Sequence, residues 1–424
     1  MRLKNGSRVI IVGGGPSGSF TALHLLAQAA RLNLEILITI LEARDFSQPG
    51  PGGCNKCAGI LSSGLVRNLE RLQLQLPEDV IQSELDTYIL HGDEFQLPIQ
   101  LPEPRRRIIS IYRGGGPHRG ILPSPRSFDH WLLQQAQLRG AEVCKSRARS
   151  IKFDPDPRVL TAHEEYKPEL VVLATGVNSR IELDPALGYR FPTTEVMAQD
   201  EIPLPSGQRD NIVHIFFDHP AGLIFGGLIP KNQYANISLL GHHLPSDAMQ
   251  QFLNYNGIRS ILPERTVSLC GCAPRVSVSP AQGYFSDQFV AVGDAAVTRL
   301  YKDGIGSAFI TAEAAAITAV QHGISKSDFA VGYQSACRRI AIDNFYGKLL
   351  FRLWDFLRSS PLLRKIWMKA IQAEAGLPPA KRIHTFILWG MFSGDESYQT
   401  MFWKLSSLPA FASLLRGIIQ PGGD

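Results

Sequence analysis

Tyr301 and Lys302 are the residues best suited to moving a proton, because they stand side by side just before Gly304 in a glycine-rich stretch. A lysine close to a group that accepts electrons can stabilise the negative charge or donate a proton, and a tyrosine phenol can donate in its place. The same two side chains could instead face solvent or pack on the helix that follows. They are therefore candidate acids whose role depends on what lies next to them.

Thiols form the second set of candidates, because four of the six cysteines stand in two close pairs, Cys54 with Cys57 and Cys270 with Cys272. Four thiolates could hold zinc or a cluster, but more than two hundred residues separate the pairs and the second pair is tightly spaced. We therefore expect no metal. A reactive or redox-active Cys57, with Cys54 as its partner, fits the pattern better, and small packed residues are the other interpretation.

A glycine turn near the start predicts the element that would bring a cofactor to these residues. The apolar strand Arg8–Val12 leads into a Gly-x-Gly-x-x-Gly turn, and an Ala- and Leu-rich helix over 20–30 follows. In such a unit the glycines allow a tight turn, close approach of a pyrophosphate to the backbone, and close packing of helix on strand. A second strand over 34–41 ends at Glu42, which can accept hydrogen bonds from an adenosine ribose. The pattern predicts dinucleotide binding by Gly13, Gly15, Pro16, Ser17, Gly18 and Glu42.

A second segment indicates which dinucleotide is bound, NAD or FAD. A strand over 289–292 leads into Gly293 and Asp294, and ten residues later Gly304-Ile305-Gly306 opens a helix over 307–320. The arrangement resembles the second FAD fingerprint of the glutathione-reductase-type flavoproteins. The resemblance implies FAD as the cofactor, with Asp294 on the ribityl hydroxyls. It also implies that the helix N-terminus faces the flavin edge where negative charge collects on reduction.

Further segments fit the same flavoproteins. The buried strand in 170–178 ends at Thr175 and Gly176, where such proteins return to the cofactor. An arginine at the start of a later helix reaches the flavin chain in similar proteins, which makes Arg126 a candidate, and a solvated first-turn arginine is the alternative. Arg44, two residues beyond Glu42, completes the predicted cofactor-binding set.

Within this superfamily the chain resembles the geranylgeranyl reductase branch, over about residues 7–320. The stretch 56–62 resembles the branch's cysteine-glycine loop at the substrate cavity, and 221–240 resembles the strands that roof that cavity. The resemblance implies hydride transfer from reduced FAD to a carbon–carbon double bond of a hydrophobic, isoprenoid-like substrate. Lys302, Tyr301 or Cys57 would supply the proton, and NAD(P)H or another external reductant would supply the electrons.

Three departures from the branch bear on the reaction. Gly227 and Ile229 precede Pro230 where the branch has aromatic residues, so an aromatic wall is expected to be missing. Tyr301 stands where a proline is usual, and Thr175 stands where the hydroxylases have an acid. The last two departures weigh against an FAD monooxygenase or halogenase. That reaction stays an alternative, together with a flavoprotein dehydrogenase that passes electrons to a membrane quinone.

The motifs together predict an α/β fold. It comprises a Rossmann-like FAD-binding domain of the glutathione-reductase or hydroxylase type, an interleaved α+β substrate domain and a C-terminal helical segment. A chain of 424 residues has room for two or three domains. The predicted ranges are 1–75, 105–182 and 285–330 for the FAD-binding domain, 76–104 and 183–284 for the substrate domain, and 331–424 for the helical region.

The last ninety residues mix aromatic, leucine and basic residues on amphipathic helices, over 345–357, 362–371 and 401–419. No apolar run approaches the roughly eighteen residues needed to span a bilayer. These helices could lie on an anionic membrane surface, cap the core or form a dimer face.

Charge and cysteine content limit the expected partners and the expected location in the cell. The net charge is only +5, from 43 basic and 38 acidic residues, and no groove-reading motif or basic arm is present, so nucleic acid is not an expected partner. Few cysteines and no secretory signal predict a cytoplasmic protein, free or peripheral on a membrane. The expected partner is a hydrophobic small molecule, and the oligomeric state is open.

Overall fold

The computed structural model describes residues 1–54, 57–92, 95–103, 105–117, 125–178, 181–204, 211–217, 220, 222–262 and 270–419, with the backbone alone for 416–419. Two six-stranded sheets organise these residues. Three parts of the predicted segments lie outside the described part of the chain: residue 56 of the cysteine-glycine loop, residue 221 of the roof, and residues 420–424 of the helical region.

The first sheet is built around the predicted strand Arg8–Val12 and is parallel apart from one short edge pair. Val9 and Ile11 pack with helices on one face, and Ile10 and Val12 pack with a small sheet on the other. Burial on both faces explains why the strand is apolar throughout. In spatial order the strands are Phe285–Ser286, Phe289–Ala291, Leu170–Leu173, Arg8–Val12, Leu37–Leu41 and Glu142–Cys144.

Two long helices cover the first face of that sheet. Pro16–Arg31 follows the glycine turn, and Gly304–Ile317 follows the second fingerprint. The rings of Phe20 and Phe309 meet edge to face between them, with centroids 5.2 Å apart. The two fingerprint helices are therefore neighbours in the core.

The second sheet is antiparallel except where Ile212–Phe216 runs parallel to Thr87–Gly92. One face packs on the short helices Ala248–Asn254 and Asn256–Arg259, and the other shares a hydrophobic cluster with the C-terminal helices. In spatial order the strands are Ala198–Pro203, Tyr234–Gly241, Leu223–Lys231, Ile212–Phe216, Thr87–Gly92 and Phe95–Gln100.

Three smaller sheets and two further helices connect these layers. Ser110 Oγ, in the three-stranded sheet, donates a 2.7 Å hydrogen bond to the Pro230 carbonyl of the second large sheet. The smaller sheets, in spatial order, are Ile60–Leu61, Ile108–Ile111 and Ile81–Leu85; then Glu165–Tyr166, Pro157–Leu160, Ser150–Phe153 and Glu182–Leu183; then Thr194–Val196 and Arg275–Ser277. The helices are Ser63–Arg71 and Phe128–Leu138.

The C-terminal helices cap the second sheet. Their buried Trp354, Trp367 and Trp389 belong to the same hydrophobic cluster as that sheet. The helix predicted over 401–419 is two helices, with a break at Ser406 and Ser407. Within the described residues, no helix has the length and apolar character needed to cross a membrane. The helices are Lys326–Val331, Tyr333–Ser359, Pro361–Glu374, Ile383–Ser393, Tyr398–Leu405 and Leu408–Ile419.

The predicted α/β fold with a C-terminal helical segment is confirmed. Strands of the first sheet come from the ranges predicted for the FAD-binding domain, and strands of the second come from those predicted for the substrate domain. The boundaries of the domains stay a prediction.

Candidate cofactor and substrate cavity

A cavity of about 700 Å³ lies where the carboxyl ends of the first sheet's strands meet the second sheet. Val12, Leu41 and Ala174 line it from the first sheet, and Ile215 and Ile229 line it from the second. Open α/β sheets bind ligands at this edge. The predicted site residues that line it are Gly13, Gly15, Pro16, Ser17, Glu42, Arg44, Cys57, Thr175, Gly176, Asp294, Tyr301, Lys302, Gly304 and Ile305.

Close backbone contacts shape the glycine turn. A Cβ on Gly13 would lie 2.6 Å from the carbonyl oxygen of Ala174, and one on Gly18 would lie 1.9 Å from that of Gly13. Gly18 thus packs behind the cavity wall. The helix Pro16–Arg31 begins directly after Gly15, so its free N–H groups and positive dipole end face the cavity. This end can hold a pyrophosphate.

Glu42 is held in place by the backbone. Its Oε2 accepts a hydrogen bond from the Gly14 N–H and its Oε1 accepts one from the Arg44 N–H, each at 2.9 Å. The Arg44 guanidinium lies 3.5 Å from the same carboxylate. Because each carboxylate oxygen can accept a second hydrogen bond, Glu42 retains capacity for ribose hydroxyls.

The two fingerprints touch each other. Gly293 has φ +61°, and a Cβ there would lie 2.0 Å from Ser17 Oγ. Gly293 therefore lies behind the wall, while the neighbouring Asp294 lines the cavity. Burial raises the pKa of Asp294, and the charge of Arg113 opposes that rise.

The structure does not bring Arg126 to the cavity, which corrects the sequence expectation. Its side chain is 39% exposed and pairs with Asp79, with Nη1 and Oδ1 3.6 Å apart. Arg113 lines the cavity, as do Arg44, Arg147, Arg275 and Arg299. The Arg113 Nε and Nη2 donate to the two carboxylate oxygens of the buried Asp129 at 3.0 and 2.9 Å, which fixes the guanidinium at the cavity that Asp294 also lines.

The helix Gly304–Ile317 begins earlier than the sequence indicated, with Asp303 as its cap residue. A Cβ on Gly306 would lie 2.4 Å from an Asp303 carboxylate oxygen, so Gly306 makes room for that carboxylate and does not line the cavity. Asp303 Oδ1 accepts a 3.1 Å hydrogen bond from Ser62 Oγ. Burial raises the pKa of Asp303 to about 6. Sequence reasoning missed this acid.

Lys302 enters an apolar part of the cavity. Its Nζ lies 4.1 Å from the centroid of the Phe225 ring. Burial, followed by the charge of Arg299, lowers the pKa of Lys302 to about 7. An amine with such a pKa can both hold and release a proton near neutral pH.

Tyr301 lines the cavity, but its phenol is engaged. Its hydroxyl donates a 3.0 Å hydrogen bond to Glu195 Oε2, and its ring packs edge-on against Phe351. Burial and Glu195 raise the pKa of Tyr301. Of the two adjacent candidates, Lys302 is the better placed to donate a proton.

Cys57 lies half-buried on the cavity wall beside a positive charge. Its sulfur accepts a hydrogen bond from the Gly59 N–H at 3.4 Å and another from the Arg113 guanidinium. Cys54 also lines the cavity. In the described ranges, no group of three or more His, Cys, Asp and Glu side chains is arranged to hold a metal ion.

An aromatic wall is present, contrary to the sequence expectation, but other positions provide it. Gly227 and Ile229 line the cavity, as does Phe225 from the same strand. Phe392, from the helix Ile383–Ser393, meets Phe225 at a ring distance of 6.0 Å. The cavity therefore continues from a polar, glycine-lined end to an apolar, partly aromatic end.

The residues present fit FAD. The glycine turn matches a pyrophosphate, Glu42 a ribose, and Asp294 a chain of hydroxyls. Thr175 Oγ1 lines the same cavity and, among the described residues, is buried without a hydrogen-bond partner. A ligand with several polar groups would satisfy it.

Comparison with known proteins identifies the fold. No family model matches the sequence, and no curated protein matches it. A geranylgeranyl bacteriochlorophyll reductase-like protein from Thermoplasma acidophilum is similar in structure, with a TM-score of 0.56, 16% identity, and coverage of 98% of this chain and 96% of that one. A flavoprotein/dehydrogenase from Cytophaga hutchinsonii has a TM-score of 0.65 and 14% identity, over 98% of this chain and 100% of the other. A flavin-dependent brominase has a TM-score of 0.55 and 13% identity, over 98% and 93%. At these identities the likeness establishes the fold.

Proposed function

We propose that this chain is an FAD-dependent oxidoreductase that reduces a carbon–carbon double bond of a hydrophobic, isoprenoid-like substrate. The observation that carries the proposal is the position of Lys302. Its amine lies in the apolar part of the same cavity whose other end has the geometry of a dinucleotide site.

The cofactor part of the proposal is supported by the convergence of the two fingerprints on one cavity. Gly13, Gly15 and Asp294 come from distant parts of the chain and line the same space. The similar solved structures include proteins described as a flavoprotein and as flavin-dependent. Bound FAD would supply hydride to the substrate, after an external reductant such as NAD(P)H has reduced it.

The protein's own residues contribute an apolar surface for the substrate and a proton donor. Phe225, Ile229 and Phe392 provide an apolar surface on which an isoprenoid chain can lie. Addition of hydride to one carbon of a double bond leaves the other carbon to be protonated. Lys302 Nζ, with a pKa of about 7, is the group suited to that step.

Anaerobic stopped-flow spectroscopy tests this proposal. The purified yellow protein is reduced with dithionite and mixed separately with geranylgeranyl diphosphate, ubiquinone and oxygen. We expect rapid reoxidation by the prenyl compound and slow reaction with oxygen. Reoxidation by quinone alone would indicate a flavoprotein dehydrogenase, and fast oxygen reaction with substrate consumption would indicate a monooxygenase or halogenase. Either result would contradict the proposed reduction.

We further propose that the C-terminal helices contact an anionic membrane surface. Phe345 and Phe356 are 59% and 63% exposed on the helix Tyr333–Ser359. Lys348 and Arg352 lie between them at spacings of three and four residues, so all four side chains share one exposed face. Apolar rings among basic residues suit a surface of anionic lipid.

Vesicle co-sedimentation tests the membrane contact. Replacing Phe345 and Phe356 with serine should weaken binding to phosphatidylserine-containing vesicles by about tenfold or more, because each ring loses apolar burial. Leu138→Ser is the matched control, since Leu138 is an exposed apolar residue of another helix. Equal binding by all variants would exclude this face. A dimer that the double variant abolishes, without vesicle binding, would assign the face to self-association.

A further inference from the structure

Cys270 and Cys272 form a sulfur pair outside the chemistry described so far. Their sulfurs lie 3.5 Å apart, and Cys272 donates its S–H to Cys270. Gly271 between them has φ +64°, a conformation that glycine adopts readily. The buried Asp200 anchors this turn by accepting a 3.1 Å hydrogen bond from the Gly271 N–H. The short turn thus holds two thiols next to each other.

The two thiols differ in solvent exposure. Cys270 is exposed and Cys272 is half-buried. Burial, followed by the hydrogen bond with Cys270, raises the pKa of Cys272 to about 12, so this thiol keeps its proton in the resting protein. Cys270 is the sulfur that a reagent in solution reaches first.

One backbone hydrogen bond connects the pair to the cavity. The Gln199 N–H donates to the Cys272 carbonyl at 2.9 Å, and Gln199 lines the cavity together with Cys54 and Cys57. The charge of Cys54 also contributes to the raised pKa of Cys272. The four cysteines that the sequence places in two distant pairs therefore extend from the surface to the candidate active site.

We propose that Cys270 and Cys272 are a redox-active pair through which an external dithiol delivers electrons to the cavity. In the first step the external dithiol closes its own disulfide and the Cys270–Cys272 disulfide opens, giving two S–H groups. In the second step the Cys272 sulfur attacks Cys54 in a Cys54–Cys57 disulfide, and the proton of Cys272 passes to Cys57, which leaves as a thiol. Cys270 then attacks Cys272 and releases Cys54. Two electrons and two protons have moved inward, and one disulfide has replaced the other.

This inference rests on the proposed function in one respect, since the cavity must hold a final electron acceptor. The exchange among the four cysteines can be tested without one. The two parts are therefore measured separately.

Trapping the mixed disulfide tests the exchange. In the double variant Cys57→Ser/Cys270→Ser neither resolving thiol is present, so Cys54 and Cys272 should become linked in an oxidising glutathione buffer. Peptide mass spectrometry should find that cross-link in most of the protein, and no cross-link after dithiothreitol treatment. Separate glutathione adducts on Cys54 and Cys272, with no link between them, would overturn the proposal. Cys144→Ser, a half-buried cysteine on the first sheet, is the control and should leave wild-type thiol pairing unchanged.

Anaerobic flavin reduction by dithiothreitol tests delivery. Cys270→Ser should slow bleaching of the flavin by dithiothreitol at least tenfold and leave bleaching by dithionite unchanged. Equal rates in the variant and wild type would contradict delivery through this pair. If the purified protein contained no flavin, the proposed function would fail, while the trapping result would still decide whether the cysteines exchange.

Discussion

Backbone shapes the polar end of the cavity, and side chains shape the apolar end. At the polar end, Gly13, Gly18 and Gly293 each lie where a Cβ would come within 2.6 Å of another atom. At the apolar end, Phe225 and Phe392 line the cavity with their ring centroids 6.0 Å apart. Under the proposed function, the polar end would hold the cofactor and the apolar end would determine which substrate reacts.

The largest effect is expected from adding one methyl group at the polar end. Gly18→Ala would place a Cβ 1.9 Å from the Gly13 carbonyl oxygen, so helix and strand must separate. We expect the unfolding free energy to fall by roughly 1–3 kcal/mol or more, which lowers the Tm. We also expect the purified protein to contain no flavin. Thermal unfolding and the flavin-to-protein ratio measure both. Gly376→Ala, where nothing lies within 4 Å, is the control and should behave as wild type.

The second-largest effect is expected from replacing Lys302 at the apolar end. This change should slow the reaction and leave cofactor binding unchanged. Lys302→Met should keep full flavin content and slow the single-turnover reduction of substrate by about 10²–10⁴-fold, as expected for loss of a general acid. In the wild type the rate should fall as pH rises through about 7, because the donor form of Lys302 is the protonated one.

Lys302→Arg is the matched variant for that experiment. It keeps the positive charge above Phe225 but cannot release a proton near neutral pH. The pH-dependent fall should therefore disappear in both variants. If either kept the wild-type rate and pH profile, Lys302 would have no part in the proton transfer.

The third-largest effect is expected from removing the carboxylate of Asp294 at the polar end. Asp294→Ala should weaken FAD binding by roughly 10–100-fold, since hydrogen bonds to charged groups contribute about 1.5–3 kcal/mol. Flavin lost on gel filtration and then titrated back by fluorescence measures the change. Asp294→Asn keeps the shape and should fall between Ala and wild type. Full flavin retention by Asp294→Ala would show that this acid does not hold the cofactor.

The smallest effect is expected at the apolar end. A Cβ on Gly227 would lie 3.2 Å from Ile229 Cδ1, a contact that a small shift of that flexible side chain relieves. Gly227→Ala should leave flavin content unchanged and raise KM a few-fold for long prenyl substrates, with less effect on short ones. An equal change for all chain lengths would mean that this strand does not bound the substrate.

The contrast between the two ends also explains which parts of the site could be predicted from sequence. Local spacing determines the glycine turn and the second fingerprint, so the sequence alone is enough to place Gly13, Gly15, Glu42 and Asp294 in one site. Lys302 and Tyr301 are candidates for the same reason, because they adjoin the second fingerprint.

The remaining parts depend on contacts between distant segments. Arg113 sits in a basic stretch of sequence, and only the fold shows that Asp129 turns its guanidinium into the cavity while Arg126 pairs with Asp79. Phe392 reaches the roof from a C-terminal helix, which sequence spacing does not reveal. Asp303 resembles an ordinary turn residue in sequence, and its raised pKa follows from burial by distant segments. Packing, and not local pattern, decides these roles.

The flavin content of the purified wild-type protein is the decisive measurement for the cofactor assignment. Protein is denatured, and the released cofactor is identified and quantified by chromatography against the protein concentration. We expect FAD at about one molecule per chain, because both fingerprints converge on one cavity. A colourless protein that neither carries FAD nor binds it when FAD is added would contradict the cofactor assignment and the reaction proposed from it.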